Sequence, residues 1–248
     1  MGGRRLAWVD SAELKYVVPP GREAVAIDGF GLDLSELRLG RVYYVDTPEL
    51  ALHARGVVLR ALRRPSGDQD VAVKLRPPSA SQLPRGGRRR HGVAVELDVV
   101  PGMIMRTATL SCERPRGTLE AALSGREPVR KLFSKGQRAL VGEVAEVDWS
   151  SVRVLGPVSV LKVAAKMRQL GSPLVAQLLR YPDDSSLLEF STRVSPRDLA
   201  QQSIRFWTLL AQHGFDVSAA QQTKSTHSLA LLNGAPPRET RERATCSG

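Results

Sequence analysis

Val71-Ala72-Val73-Lys74-Leu75-Arg76 alternates without a break, apolar at 71, 73 and 75 and cationic at 74 and 76. Successive side chains of an extended chain point to opposite faces, so this is a strand with one greasy face and one basic face. Gly56 to Arg63, just before it, is of the same kind, with Arg60 opposed to Leu59 and Ala61. Pro65-Ser66-Gly67-Asp68 between them predicts a hairpin.

The pattern spreads outward from there. In Ala12-Glu13-Leu14-Lys15-Tyr16-Val17-Val18, Glu13 and Lys15 share a face, and Pro19-Pro20-Gly21 stops the strand. Val93 to Val100 sets Glu96 and Asp98 against Val95, Leu97 and Val99, then turns at Pro101-Gly102 into Ile104 to Leu110. Near the other end Glu189 alternates with Leu188 and Phe190. Further strands are expected at Arg41–Val45, Gln137–Val147, Val152–Ala165, Leu174–Tyr181 and Leu187–Val194. A short helix is expected from Thr47-Pro48-Glu49 to Arg55, and another over Thr118–Phe133, broken at Gly125. A terminal helical pair covers about 196–232, starting at Ser195-Pro196-Arg197-Asp198 and, after Gly214, at Ser218. The sum is an α+β chain of eight or nine strands, a single domain over 1–233, with 234–248 a disordered tail.

Strands with one charged face fit two architectures. The apolar faces can fill a sandwich or barrel core, leaving the charges in water. Alternatively the sheet closes into a barrel with a polar lumen and an apolar outside covered by helices. A lumen rich in Lys and Arg must hold a polyanion, because like charges shielded from water are costly.

The composition agrees with an anionic partner: 36 Lys+Arg against 25 Asp+Glu leave a formal net charge of +11. Two cysteines, Cys112 and Cys246, exclude a disulfide framework and a cysteine-based zinc site. The start, MGGRRLAWVDS, has no secretory h-region, and the longest apolar run, Val154 to Ala165, is interrupted by Gly156-Pro157 and Lys162. A cytoplasmic protein with no membrane partner is expected.

In order along the chain, these segments resemble the CYTH, or triphosphate tunnel metalloenzyme, superfamily. Ala12-Glu13-Leu14-Lys15 is similar to its Glu-x-Glu-x-Lys first strand, and Tyr43-Tyr44-Val45-Asp46-Thr47-Pro48 to its Tyr-Phe-Asp-Thr-Pro segment. The Arg60 and Lys74 strands, Glu96-Leu97-Asp98, the basic residues Lys131, Lys135 and Arg138, and Leu187-Leu188-Glu189-Phe190 follow in the family's order over roughly residues 10–195. The resemblance implies an eight-stranded antiparallel tunnel that cradles a triphosphate. Lys15, Arg60, Lys74, Arg76 and Arg138 would bind phosphate, and Glu13, Glu96, Asp98 and Glu189 would hold Mg²⁺ or Mn²⁺. Glu13 and Lys15 are the residues placed nearest the chemistry, a metal-oriented attack of water on a terminal phosphorus. Inorganic or organic triphosphatase activity is the leading expectation. A non-catalytic polyphosphate- or nucleotide-binding module and a class IV-type adenylyl cyclase are the alternatives.

Three departures set this chain apart from the family pattern. Ser11 stands in place of the first Glu, Leu62 in place of a second Arg, and residues 158–164 lack the expected acidity. The anion-binding half of the site is therefore better preserved than the metal half. Elsewhere the histidines are scattered, and the run Arg85 to His91 reads as a solvated loop without the aromatics of a single-strand platform, so nucleic acid is not expected as a partner. Gln221-Gln222-Thr223-Lys224 reads as helical surface, or else as a cover for one tunnel mouth.

Overall fold

A computed structural model describes residues 9–76 and 92–234. Nine strands are laid down in chain order: β1 (Ser11–Val17), β2 (Arg38–Asp46), β3 (Val57–Arg63), β4 (Gln69–Leu75), β5 (Ala94–Val100), β6 (Met103–Arg114), β7 (Arg153–Ala165), β8 (Leu174–Arg180) and β9 (Ser186–Val194). They close into one barrel in the order β1-β5-β6-β4-β3-β2-β7-β8-β9. The expected tunnel of eight antiparallel strands is thus corrected to nine, with β1 and β5 parallel. The two differences are one fact, because strand direction cannot alternate around a ring of odd number. Six helices lie among the described residues: α1 (Glu23–Gly29), α2 (Ala51–Ala54), α3 (Thr118–Leu123), α4 (Lys135–Gly142), α5 (Leu199–Gln212) and α6 (Lys224–Gly234). No helix among them is long and apolar enough to cross a membrane.

The barrel is inverted. Val71, Val73 and Leu75 point outward and are fully buried under Leu119 of α3, Leu140 and Val141 of α4, and Leu132 and Phe133 between those helices. On the opposite wall Leu14, Tyr16 and Phe190 pack outward against Phe30 and the α5 residues Phe206, Leu209 and Leu210. Each such side chain contributes about 1.5–3 kcal/mol by leaving water. The helices thus supply the core that a simple barrel would build inside itself, and the other face of each strand is left for polar groups.

Several local expectations are corrected. Residues 137–147, read as a strand, begin as α4. A reciprocal cap fixes its start: Ser134 Oγ accepts from Gln137 N at 3.2 Å, and Gln137 Oε1 accepts from Ser134 N at 3.0 Å. The helix expected over Thr118–Phe133 is α3 alone, followed by a 3₁₀ turn at Val129–Leu132. The segment after Thr47 becomes helical only at Ala51, since buried Asp46 takes the amides of Leu52 and His53 while Thr47 Oγ1 takes that of Ala51. The last helix starts at Lys224 rather than Ser218, with Thr223 Oγ1 accepting from Thr226 N at 3.3 Å. The expected tail and the Arg85–His91 run lie outside the described residues, apart from Gly234, which ends α6.

Two features shape the lumen. Opposite Tyr43, β7 carries two residues, Gly156 and Pro157, so that Tyr44 pairs with Leu155 but Val42 with Val158. Gly156 has φ +116°, and a Cβ there would sit 3.1 Å from Val42 O, so this bulge requires glycine. Beyond it Val160 and Lys162 line the lumen with Val42, Gly40 and Arg38 of β2. Beside the bulge, α6 packs Leu229 and Leu232 into one cluster with Val42, Tyr44, Val58, Leu179 and Leu187. Ser228 and the hydroxyl of Tyr181 hydrogen-bond at 2.9 Å. Ahead of the helix, Gln221 accepts from Val17 N and donates to Val17 O, each at 2.8 Å. The tunnel is therefore a cup with α6 as its floor.

Candidate functional site

The cup encloses about 350 Å³, within the range of small-ligand sites. Nine Lys and Arg line it, against two carboxylates, Glu13 and Glu189. Asp98 and Glu96 stand behind these cations and bind them directly.

Lys15 is the hub of the lower wall. Its Nζ lies 2.6 Å from Asp98 Oδ1 and 3.0 Å from Glu13 Oε2. Asp98, 1% exposed, has its second oxygen occupied by Arg76 Nη2 at 3.0 Å and by the Thr107 hydroxyl at 2.8 Å. Arg76 continues to the floor, donating to Thr223 Oγ1 and Ser225 Oγ at 3.5 and 3.4 Å. There Lys224 Nζ donates to Glu189 Oε1 at 2.6 Å and to Gln177. Nearer the mouth Glu96 accepts from Ser11 Oγ at 3.1 Å and from Arg193 at 2.8 Å.

This wiring sets the charge states. Burial opposes ionisation of Glu13 and Asp98, but the Lys15 ammonium overrides it; Glu13 falls to about 2, and Asp98 is held well below the carboxylate range with Arg76 adding to the effect. Burial likewise opposes the charge on Lys15, and Glu13 and Asp98 reverse that to raise its pKa.

Lys74 and Arg60 are different. The side chain of Lys74 makes no hydrogen bond or ion pair among the described residues. Burial, then the positive charges of Lys15, Arg60 and Arg76, push its pKa down to about 7. The Nε of Arg60 is buried without a hydrogen-bond partner. A buried donor left unpaired costs about 1–3 kcal/mol. Both side chains line the same cavity.

Of the residues picked from the sequence, Glu13, Lys15, Arg60, Lys74, Arg76, Glu96, Asp98 and Glu189 are brought to this one network and its lumen. Arg138 is not. It lies on α4, outside the barrel, and its guanidinium is spent on the carbonyls of Arg130 and Phe133. The sequence reading missed Arg38, Lys162 and Arg193, although the latter two sit at alternate positions of expected strands. It also ranked Lys224 as helical surface, because only the fold shows that α6 turns its first residues into the barrel.

The fold has known relatives. The chain is similar to a candidate adenylate cyclase from Bacillus halodurans, at 12% identity over 88% of this chain and 97% of that one, with a TM-score of 0.62. It is also similar to a candidate adenylyl cyclase from Hippeastrum with a dominant triphosphatase activity, at 15% identity over 88% and 94%, TM-score 0.61. No protein-family model and no curated protein matches the sequence. At this identity the likeness is one of fold, in keeping with the tunnel barrel that the sequence resemblance implied.

The sequence resemblance implied Mg²⁺ or Mn²⁺ on the carboxylates Glu13, Glu96, Asp98 and Glu189. Mg²⁺ demands several oxygens converging at 2.0–2.1 Å. Among the described residues no three His, Cys, Asp or Glu side chains gather into such a group. Each expected ligand is instead held by a cation of the chain: Glu13 and Asp98 by Lys15, Glu96 by Arg193, and Glu189 by Lys224. The residues present do not fit a resident metal.

Proposed function

We propose that the cup binds a linear triphosphate, free or as the tail of an organic triphosphate. The observation that carries this reading is the pair of lumen cations, Arg60 and Lys74, that have no counter-charge of their own. With four carboxylates against nine basic side chains, the network has a formal surplus of five positive charges when Lys74 is protonated, and four when it is not. A triphosphate tail carries a comparable negative charge in a linear chain, and α6 blocks passage through the barrel, so its terminal phosphoryl group would rest against the floor. Phosphate oxygens would accept from Arg60, Lys74 and Arg76, with Lys162, Arg38 and Arg193 guiding entry at the mouth.

Hydrolysis of the terminal anhydride is a second reading, favoured by the gathering of Lys74, Arg76 and Lys224 at the closed end. Water would attack the terminal phosphorus and the bridging P–O bond would break, with negative charge growing on a leaving oxygen surrounded by fixed cations. The reading also takes residues 1–233 as one domain working in the cytoplasm, with no nucleic acid or membrane as partner.

Isothermal titration with tripolyphosphate and with a nucleoside triphosphate tests the first reading, and saturable binding with a raised melting temperature is expected. Absence of both for every triphosphate tried would end it. Phosphate and cyclic nucleotide assayed in the same samples decide between binding alone, hydrolysis and cyclisation.

A further inference from the structure

We infer that in this chain the lysines of the cup do the work of a divalent cation, so that a triphosphate is bound without metal. The inference rests on the binding reading above and concerns what neutralises the ligand.

Its first support is the state of the carboxylates. Both oxygens of Asp98 are occupied, one by Lys15 and the other by Arg76 and Thr107. Glu189 is 2% exposed and bound to Lys224 at 2.6 Å. A metal ion could take Asp98 Oδ1 or Glu189 Oε1 only by displacing the ammonium group of Lys15 or Lys224, leaving a further buried cation short of a partner. That exchange is unfavourable in a lumen already holding a surplus of positive charge.

The second support is position. Lys224 hangs from the first turn of α6, an eleven-residue helix, and reaches Gln177 of β8 and Glu189 of β9. Lys15 comes from β1, the strand paired with β9, and joins Glu13 to Asp98. Two fixed point charges thus stand at the closed end, Lys15 anchored by two carboxylates and Lys224 by a carboxylate and an amide, and each has one donor to spare for phosphate oxygen. An ammonium carries three donors, and these lysines use two apiece within the protein.

The third support is the wall. Lys162 and Ser11 occupy lumen or near-lumen positions where a carboxylate would widen the metal-binding set. Ser11 already gives its hydroxyl to Glu96, and Lys162 adds charge of the sign that repels a metal ion.

Titration of tripolyphosphate in EDTA and in excess Mg²⁺ is the primary test. Affinity in EDTA equal to or tighter than that in Mg²⁺ supports metal-free binding, because free Mg²⁺ then only competes for the ligand. Binding lost by tenfold or more in EDTA and restored by Mg²⁺ would overturn the inference while leaving the binding reading intact. No binding under either condition would overturn both. Independently, Mn²⁺ alone is titrated into the wild-type protein and followed by electron paramagnetic resonance. An unperturbed free-ion signal is expected, and saturable binding at micromolar Mn²⁺ would count decisively against the idea. Lys224→Met should weaken binding in EDTA by tenfold or more and, by releasing Glu189, produce a bound-Mn²⁺ signal that wild type lacks. Lys224→Arg should keep metal-free binding. If Lys224→Met binds in EDTA as tightly as wild type, its ammonium is not the substitute. The direct Mn²⁺ titration needs no variant and stands even if α6 does not tolerate the change.

Discussion

Lys15 Nζ and Asp98 Oδ1 meet at 2.6 Å across the parallel pairing of β1 and β5, where Glu13 and Asp98 are register partners. The contact closes the barrel electrostatically at its one departure from antiparallel order. It also divides the lumen cations into two kinds: Lys15 and Arg76 are committed to a carboxylate, whereas Arg60 and Lys74 are not. The two kinds answer differently to mutation.

Asp98→Ala should destabilise the fold strongly, by about 3–5 kcal/mol, because it leaves Lys15 and Arg76 as buried charges short of a partner. Urea denaturation near neutral pH measures this. The same network should fail in acid. Glu13 has its pKa lowered from 4.5 to about 2, so its stabilisation is full above 4.5 and is lost as pH falls toward 2. Unfolding midpoints followed through that window should drop in wild type, and less steeply in Glu13→Gln.

Arg60→Met should move stability and binding in opposite directions. Losing a charge-assisted contact to phosphate costs about 1.5–3 kcal/mol, an affinity loss of roughly tenfold to a hundredfold. The apo protein, relieved of a cation whose Nε has no partner, should melt no lower than wild type and should melt higher if the methionine packs against Val58 and Leu62. Calorimetry on apo and ligand-bound samples separates the two effects. A lower apo melting temperature would mean that Arg60 is a structural group.

Lys74 should make triphosphate binding depend on pH. In the free protein it is neutral above about 7. A bound polyanion favours its charged form, so complex formation above that pH takes up a proton and affinity falls by up to tenfold per pH unit. For the apo fold the sign is opposite: the unfolded chain holds this proton up to 10.5, so Lys74 favours unfolding less as pH rises from about 7 toward 10.5. Titrations in buffers of different ionisation enthalpy would register the proton uptake above pH 7. Lys74→Arg should bind with the uptake abolished, and an unchanged uptake in that variant would assign the proton to another group.

Much of this is legible in the sequence, because period-two alternation reports directly which residues share a face. It placed Glu13 with Lys15, and Lys74 with Arg76, on common faces, but alternation alone cannot say whether a charged face looks into water or into a lumen. Only ring closure and the helices over Leu14, Val73 and Phe190 settle that. The reading failed where tertiary contacts outrank local pattern. Residues 137–147 carry apolar residues at spacings that fit either period, and the Ser134–Gln137 cap decided for helix. Lys224 looked like surface because its neighbours are polar, and the apolar residues that drive α6 into the barrel, Leu229 and Leu232, come a turn or more later.

Those leucines supply the last prediction. Leu229 is 1% exposed and packs among lumen side chains of the closed end, so Leu229→Ala should cost about 2–5 kcal/mol, measured by thermal or urea melts. It carries no charge, yet α6 is what carries Lys224 to Glu189 and sets Thr223 and Ser225 beside Arg76. Well below its melting point the variant should therefore also bind tripolyphosphate more weakly, with the loss concentrated in faster dissociation as the floor gives way. A variant that is destabilised but binds with wild-type affinity would show that α6 is a plug alone, and that the anion is held entirely by the strands.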